Sequence, residues 1–370
     1  MSDGGGSSSN YPIIDSHIHL YADTHIPHLN WAPSLPDGHV LKRQNSVEQY
    51  RAATKSRSSL LGFVFVETDR RSGLEEDSWE HALAEVDLLR RIRDGSPSEG
   101  EGHVPEDRSL ALGVVAWAPL GASVKSLEKY LDRLGASRDL QAKDGLVRGF
   151  RYLLQDKPQG TALRTEFIDG LLLLEKQGAK SFDLGVDYRQ GGQWQLLEAA
   201  EMLRRFYEHS TGTMKIVINH LCKPNLHENV TTPRSDPENF KVWRKCIKTL
   251  SEFPTTYMKL SGLFSELPSQ SPDQPTPISE LLDVSRPYIQ EIFRDFGPDY
   301  GNSGGKMRIM FGSDWPVCNV GGPGIERSWT HWVDFVGAVL EELHLSHEDK
   351  AMVWAGCAKE VYGLDVRVDR

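Results

Sequence analysis

The sequence has few cysteines, and their positions exclude two kinds of site. Its 370 residues contain four, Cys222, Cys246, Cys318 and Cys357, without any C-x-x-C spacing. A disulfide framework needs many cysteines, and a thiolate zinc site needs closely spaced pairs. We therefore expect free thiols in a reducing compartment and predict a cytoplasmic protein.

Long apolar runs and an excess of positive charge are also missing. No uninterrupted apolar run approaches the roughly 20 residues that cross a bilayer, so no membrane partner is expected. The chain has 42 Lys and Arg against 52 Asp and Glu, a net charge of −10, which argues against binding to nucleic acid. Residues 1–10 are rich in Gly and Ser and lack an apolar core, which predicts a flexible tail rather than a signal peptide.

Eight short apolar stretches can be marked along the rest of the chain. Most are four to eight residues long and contain Val, Ile or Phe, which is typical of strands buried on both faces of a parallel sheet. They cover residues 13–19, 60–66, 111–117, 146–154, 181–186, 215–218, 256–260 and 307–311.

Amphipathic segments between these stretches predict helices. Ser78 is a candidate N-cap for a helix over 79–93, and Ser346 with Asp349 resembles a capping box that opens a helix ending before Gly363. Further helices are expected over 194–207, 243–253 and 329–343. Alternating strands and helices predict an α/β protein with a (β/α)8 TIM barrel as a single domain over 11–370. The main alternative to the barrel is an open, doubly wound α/β sheet.

Three segments do not fit the alternation. Residues 94–109, 265–279 and 297–306 are rich in Gly, Pro, Ser and acidic residues and have little to bury, so we expect surface insertions.

Polar residues follow three of the predicted strands. His17 and His19 end the first, His220 follows the sixth, and Asp314 follows the eighth within Phe-Gly-Ser-Asp-Trp-Pro. Alternate residues of a strand share a face, and barrel closure makes strand eight a neighbour of strand one. Each residue also has a structural interpretation, as a histidine satisfied by backbone groups or an N-cap aspartate. Together they predict one site suited to metal or acid/base chemistry.

The chain resembles the amidohydrolase superfamily, and within it the amidohydrolase-related branch of sugar-lactone hydrolases and 2-pyrone-4,6-dicarboxylate lactonases. The matching segments are 15–20 (Asp-Ser-His-Ile-His-Leu), 113–120, 149–155 (Gly-Phe-Arg and following), 182–185, 218–224 (Ile-Asn-His-Leu-Cys-Lys-Pro), 259–262 (Lys-Leu-Ser-Gly), 310–316 and Trp354-Ala-Gly-Cys-Ala. They occur in the expected order over nearly the whole chain.

The resemblance implies roles for the four polar residues. Asp314 would be the general base that takes a proton from the attacking water. His17, His19 and His220 would polarise a lactone carbonyl or hold an optional metal ion. The lysine or glutamate and the histidine that hold two metals in other members are replaced by Arg151 and by acidic residues. We therefore expect either no metal or one divalent ion, with zinc as the expected ion and His17, His19 and Asp314 as its ligands.

Further side chains are candidates for binding the small-molecule substrate. Arg151 would bind carboxylate or sugar-acid oxygens, or would form a salt bridge with Asp183 or Asp187. Lys259 and Glu67, at the ends of strands seven and two, would contact substrate or pair with neighbours. Aromatic residues that either stack on a sugar ring or pack in a lid are Trp117, Trp315 and Trp31, the last in a loop over 21–36 expected to cover the pocket.

Two other functions remain open at this point. One is zinc-dependent decarboxylation of an aromatic or unsaturated acid, which uses a similar set of histidines and aspartate. The other is an inactive barrel that serves as a binding protein. A homodimer is also a possibility for barrels of this kind.

Overall fold

The computed structural model describes residues 11–55, 57–226, 237–298 and 305–367. The predicted tail over 1–10 and part of the predicted insertion over 297–306 lie outside these ranges. Within them, eight parallel strands form one sheet in sequential order, β1 to β8. The strands are β1 Ile13–Ile18, β2 Leu60–Val66, β3 Ala111–Trp117, β4 Val147–Arg151, β5 Ser181–Leu184, β6 Lys215–Ile218, β7 Thr256–Leu260 and β8 Ile309–Phe311.

Backbone contacts after β8 close the sheet into a barrel. The amide of Asp314 donates to the carbonyl of His17 at 2.9 Å, and the amide of His19 donates to the carbonyl of Trp315 at 2.7 Å. The predicted (β/α)8 barrel is therefore confirmed. Four strands have the predicted bounds and four are shorter, because the predicted stretches include flanking residues that lie outside the hydrogen-bonded ladder.

Helices lie between the strands and cover the barrel. Their apolar faces pack on the outside of the sheet, which explains why the strands are buried on both sides. They are α1 Val47–Thr54, α2 Glu80–Asp94, α3 Val124–Leu134, α4 Ala136–Gln141, α5 Thr165–Lys176, α6 Tyr188–Gly191, α7 Gln193–Tyr207, α8 Glu238–Ser251, α9 Ile278–Phe296, α10 Cys318–Gly321, α11 Ser328–Glu342, α12 His347–Ala351 and α13 Cys357–Tyr362. None of these helices combines the length and apolarity needed to cross a bilayer.

Two predicted helix starts have different outcomes. The predicted cap at Ser78 is wrong, because Ser78 donates its hydroxyl to the carbonyl of Glu75 and α2 begins at Glu80 without a side-chain cap. The cap at Ser346 is confirmed, since its hydroxyl accepts the amide of Asp349 at 3.1 Å. One π-helical turn separates α12 from α13, which ends at left-handed Gly363.

The predicted insertions bury more polar groups than expected. Glu101 receives hydrogen bonds from the Arg91 guanidinium on α2 and from His103 Nε2 at 3.1 Å. A salt bridge therefore holds the segment over 94–109 against α2. The prediction that this segment has little to bury is wrong. Buried polar residues of 94–109 and 265–279 are Glu101, His103, Asp107, Glu266 and Gln270.

Candidate active site

Four side chains converge where β1, β6 and β8 end. Asp314 Oδ1 lies 3.5 Å from His19 Nε2, 3.6 Å from His17 Nε2 and 3.8 Å from His220 Nε2. All four residues are buried, with at most 9% of the surface of any one exposed. The structure thus brings together the four residues that the sequence singles out.

Left-handed backbone turns point two of these side chains into the site. Asp314 has φ 59° and His220 has φ 55°, a region that residues other than glycine rarely adopt. Gly262, after β7, leaves room for His220: a Cβ there would lie 2.5 Å from His220 Nδ1. Ser261 Oγ lies 2.8 Å from the same nitrogen. The Ser-Gly pair therefore fixes the ring of His220.

Asp15 fixes the turn that carries Asp314. Its buried carboxylate accepts the amide of Ser313 at 2.8 Å, the hydroxyl of Ser313 at 2.6 Å, and the indole N–H of Trp329 at 2.9 Å. Burial raises the pKa of Asp15, and these donors oppose the shift. Asp15 is a positioning residue, since it joins the first strand to the residue before Asp314.

The partners of the imidazoles determine where their protons lie. His19 Nδ1 is 2.8 Å from the carbonyl of Val66, so Nδ1 carries the proton and Nε2 keeps its lone pair. His17 Nδ1 is 3.2 Å from Lys259 Nζ, and an ammonium only donates. His17 therefore accepts at Nδ1 and donates from Nε2 to His19 Nε2 at 3.3 Å.

Burial sets the charge of the site. It lowers the pKa of His17 well below its usual value, with Lys259 acting in the same direction, and it lowers the pKa of His220 to about 3. Burial alone would raise the pKa of Asp314, but the neighbouring His220 and His19 outweigh it and lower that pKa. At neutral pH the site therefore holds the Asp314 carboxylate beside the uncharged imidazoles of His17 and His220.

A second layer of charged groups lies beneath these residues, inside the barrel. Lys259 Nζ is 2.6 Å from Asp183 Oδ2, and both side chains are fully buried. The hydroxyl of Tyr362 donates to the same carboxylate oxygen at 3.1 Å. We call Lys259, Asp183 and His17 the floor. Of the two roles expected for Lys259, the structure favours pairing with neighbours, because the lysine binds Asp183 and His17 and is not among the described residues that line the cavity.

Arg151 pairs with Glu67 rather than with the predicted Asp183 or Asp187. Its Nε donates to Glu67 Oε1 at 2.6 Å, and its Nη2 donates to the carbonyl of Glu67. The predicted salt bridge to strand five is wrong, because Asp183 is already bound to Lys259. Glu67 is 1% exposed, so it supports the arginine instead of contacting substrate.

A cavity of about 210 Å³ opens above the four central residues. Among its lining residues are His19, His220, Asp314, Arg151, Asn219, Lys223, Gln155, Asp69, Asp156, Tyr21 and Trp31. Trp31 and Tyr21 come from the loop that was expected to cover the pocket. Of the three candidate tryptophans, only Trp31 belongs to this set within the described residues. Trp117 packs on Tyr130 and Trp315 packs on Tyr50, which favours the packing interpretation of these two residues over stacking on a sugar.

The predicted metal ligands have the right spacing for one ion. The coordinating atoms of His17, His19 and Asp314 lie within 4.8 Å of one another. Their separations of 3.3, 3.5 and 3.6 Å match the edge of about 3.3 Å for a tetrahedral zinc with ligands near 2.0 Å. Binding through His17 Nε2 would move the ring proton to Nδ1, which requires Lys259 to release the proton that it donates there. The donor set therefore fits one optional ion, and Asp183 is unavailable for a second.

Several residues of the site were missed or given no role in the sequence analysis. They are Asp15, Asn219, Ser261 and Gly262. Asn219 and Ser261 stand beside residues that were noticed, at strand ends where side chains meet the same rim. Their positions in the chain were the available signal, and polar type alone did not separate them from ordinary turn residues.

Comparison with known proteins agrees with this geometry. A family model described as amidohydrolase matches residues 14–364. An L-rhamnono-gamma-lactonase of Scheffersomyces stipitis is 29% identical over 96% of this chain and 100% of its own. An L-fucono-1,5-lactonase of Burkholderia multivorans is 27% identical over 71% of this chain and 75% of its own.

Solved structures support the same fold. An amidohydrolase from Burkholderia multivorans, solved once with bound HEPES and once with bound zinc, superposes with TM-scores of 0.66 and 0.65. In both cases the identity is 23%, and the match covers 95% of this chain and 99% of that one. The family match spans nearly every described residue, including the strands except for Ile13 and the four converging side chains. The chain belongs to the amidohydrolase family.

Proposed function

We propose that the protein is a lactonase that opens the ring of a sugar-acid lactone, with Asp314 as the general base. The observation that carries the proposal is the single carboxylate at the base of a cavity, with three imidazole nitrogens within 3.8 Å. The names of the lactonase relatives supply the substrate class. Neither feature alone would select an ester bond.

The residues around Asp314 suit each step of ester hydrolysis. The lowered pKa of Asp314 keeps it ionised, so it can accept a proton from water as the water oxygen attacks the carbonyl carbon. His220 donates from Nε2 to the developing oxyanion when Ser261 donates to its Nδ1. The ring C–O bond then breaks, and the alkoxide takes the proton from Asp314. The product is a hydroxy acid.

Arg151 is the second donor for the oxyanion. Glu67 occupies its Nε and Nη2, and no described residue receives a hydrogen bond from its Nη1. The guanidinium also lines the cavity. Because Glu67 holds the fork in place, the free N–H is oriented before substrate arrives.

A divalent ion is an optional addition in this proposal. His17, His19 and Asp314 would hold it, and zinc would supply Lewis-acid polarisation of the carbonyl and a more acidic water. The protein-only route requires no such ion, because Asp314, His220 and Arg151 provide the base and the donors. The cytoplasmic location, the single domain over 11–370, the homodimer and the absence of a nucleic-acid partner remain predictions of the sequence.

The test is a panel of aldonolactones followed by proton release, with and without a chelator. We expect ring opening by the purified protein and a loss of about 10²- to 10⁴-fold in kcat for Asp314→Asn. Asp283→Asn, in an exposed ion pair on α9, is the matched control and should retain full activity. Release of carbon dioxide from an aromatic acid, abolished by chelation, would instead identify the decarboxylase. Full activity in Asp314→Asn would refute the assignment of the base.

A further inference from the structure

Asn219 is a buried amide whose hydrogen-bonding groups lack partners. It is 1% exposed, and neither Nδ2 nor Oδ1 forms a hydrogen bond within the described part of the chain. Leaving such a group unpaired inside a protein costs about 1–3 kcal/mol. Another buried amide, Asn45, satisfies its Nδ2 with Tyr21 and backbone carbonyls. Asn219 therefore requires an explanation that Asn45 does not.

The strand register aims Asn219 into the barrel mouth. Val217 pairs with Asp183 across β5 and β6, and Asp183 points inward because it binds Lys259. Asn219 is two residues beyond Val217, has extended φ and ψ of −87° and 142°, and continues the ladder by donating its amide to Leu184. Alternation then places its side chain inward, one layer above the floor.

The residue after Asn219 does not follow the alternation. His220 has a left-handed backbone, so two consecutive side chains both line the cavity. A substrate group bound by Asn219 would lie next to the carbonyl that His220 and Asp314 address. Asn219 is therefore placed to bind the part of a lactone ring that lies next to the carbonyl carbon.

The charged residues that line the cavity limit the chemical class of the substrate group that Asn219 can bind. Both cations on the cavity wall have an acidic neighbour that offsets their charge. Glu67 binds Arg151 and leaves only its Nη1 without a described partner, and Lys223 Nζ lies 3.0 Å from Gln155 Oε1 and 3.7 Å from Asp187 Oδ2. Asp69 and Asp156 also line the cavity and would repel a carboxylate. An amide pairs both its donor and its acceptor with a hydroxyl group, whereas a carboxylate can only accept.

We propose that Asn219 binds the hydroxyl group on the carbon next to the lactone carbonyl, and so selects neutral 2-hydroxylated lactones over deoxy and carboxylated ones. The inference rests on the proposed lactonase activity and adds the feature of the substrate that is recognised. A site built to bond a hydroxyl rejects the analogue that lacks it, because its own polar atoms stay unpaired.

The test compares an aldonolactone with its 2-deoxy analogue. We expect the parent protein to favour the hydroxylated lactone at least 10-fold in kcat/KM. Asn219→Ala should lose about 10- to 100-fold on that lactone and change less than about 3-fold on the deoxy one. Gln270→Ala is the matched control, because Gln270 is a buried amide with an unpartnered Nε2 that does not line the cavity. It should leave the ratio unchanged.

A binding experiment covers the case in which Asn219→Ala fails to fold. Asp314→Asn, with Asn219 intact, should bind the hydroxylated lactone at least 10-fold more tightly than the deoxy one in calorimetry. Equal binding, or equal loss on both substrates in Asn219→Ala, overturns the role of Asn219 while leaving the lactonase intact. If the parent opens neither lactone and no other on the panel, the proposed function falls and this inference falls with it.

Discussion

The floor and the wall of the site use similar residues in opposite ways. On the floor, Lys259, Asp183 and His17 bond to one another, and none has measurable exposure. We call the cavity-lining residues Asn219 and Arg151 the wall, and both keep hydrogen-bonding groups that have no partner among the described residues. The comparison indicates that the floor fixes geometry and that the wall binds. Burial alone does not identify a binding residue, whereas a buried and unpaired polar atom on a residue that lines the cavity does.

The two layers also differ in what their loss should cost. Removing one member of a buried ion pair leaves an uncompensated charge in a medium of low polarity, and this penalty is large. Removing the uncharged wall residue Asn219 leaves no stranded charge, and its effect should appear mainly in kinetics. Stability and activity measurements on matched variants therefore separate the layers.

The largest effect should come from Lys259→Met on the floor. The variant keeps the length of the side chain but leaves Asp183 buried without its cation. We expect a loss of about 3–5 kcal/mol in the free energy of unfolding, measured by urea denaturation. Adding Asp183→Asn should restore a large part of that loss, because the stranded charge is then gone.

The control for this prediction is the exposed pair of Lys42 and Asp37, whose atoms are 2.7 Å apart. Lys42→Met should leave the free energy of unfolding nearly unchanged, since solvent screens an exposed pair. If the losses in free energy of unfolding for Lys259→Met and Asp183→Asn were strictly additive, the two side chains would not act as a unit. The description of the floor as an interacting group would then be contradicted.

A smaller effect concerns the pH dependence of stability. Burial lowers the pKa of His220 to about 3 in the folded protein, whereas an unfolded histidine titrates near 6.5. Between these values the unfolded chain binds the extra proton, so stability falls as pH falls below about 6.5. His220→Gln should reduce the slope of unfolding free energy against pH by up to about 1.4 kcal/mol per unit.

The measurement is a series of urea transitions between pH 6.5 and pH 5 for both proteins. His17 has the same sign of shift and remains in both, so the difference isolates His220. Exposed His209→Gln is the comparison and should leave the slope of the parent unchanged. A parental slope that persists in His220→Gln would mean that His220 is charged in the folded protein, which contradicts its assignment as a neutral donor.

The sequence was sufficient for the barrel and for the convergence of its main polar residues. Each buried strand is a short apolar run, and parallel strands in a barrel bring their carboxyl ends to one rim. His17, His19, His220 and Asp314 could therefore be placed together before any coordinate was known. Only local pattern and barrel closure were needed.

The pairings beneath the rim were beyond that argument. Arg151 lies beside Asp183 in register, which favours the pairing that we predicted. Instead, Lys259 reaches Asp183 across the barrel interior, and Arg151 spans β3 to meet Glu67. Which of two cations takes a shared carboxylate depends on side-chain reach and on the other partners available. Side-chain reach and the available partners depend on three-dimensional packing, and the spacing of residues in the sequence does not predict them.

The smallest effect distinguishes two tryptophans that the sequence treats alike. Trp31 lines the cavity, with its indole N–H donated to the carbonyl of Thr68 at 2.9 Å, whereas Trp117 packs on Tyr130 behind the wall. Trp31→Phe should raise KM for the best lactone about 2- to 5-fold, corresponding to roughly 0.5–1 kcal/mol of aromatic contact. Trp117→Phe, the matched control, should leave KM within about 2-fold. Equal effects on KM would mean that Trp31 contacts the substrate no more than Trp117 does, which would contradict the assignment of Trp31 to the cavity.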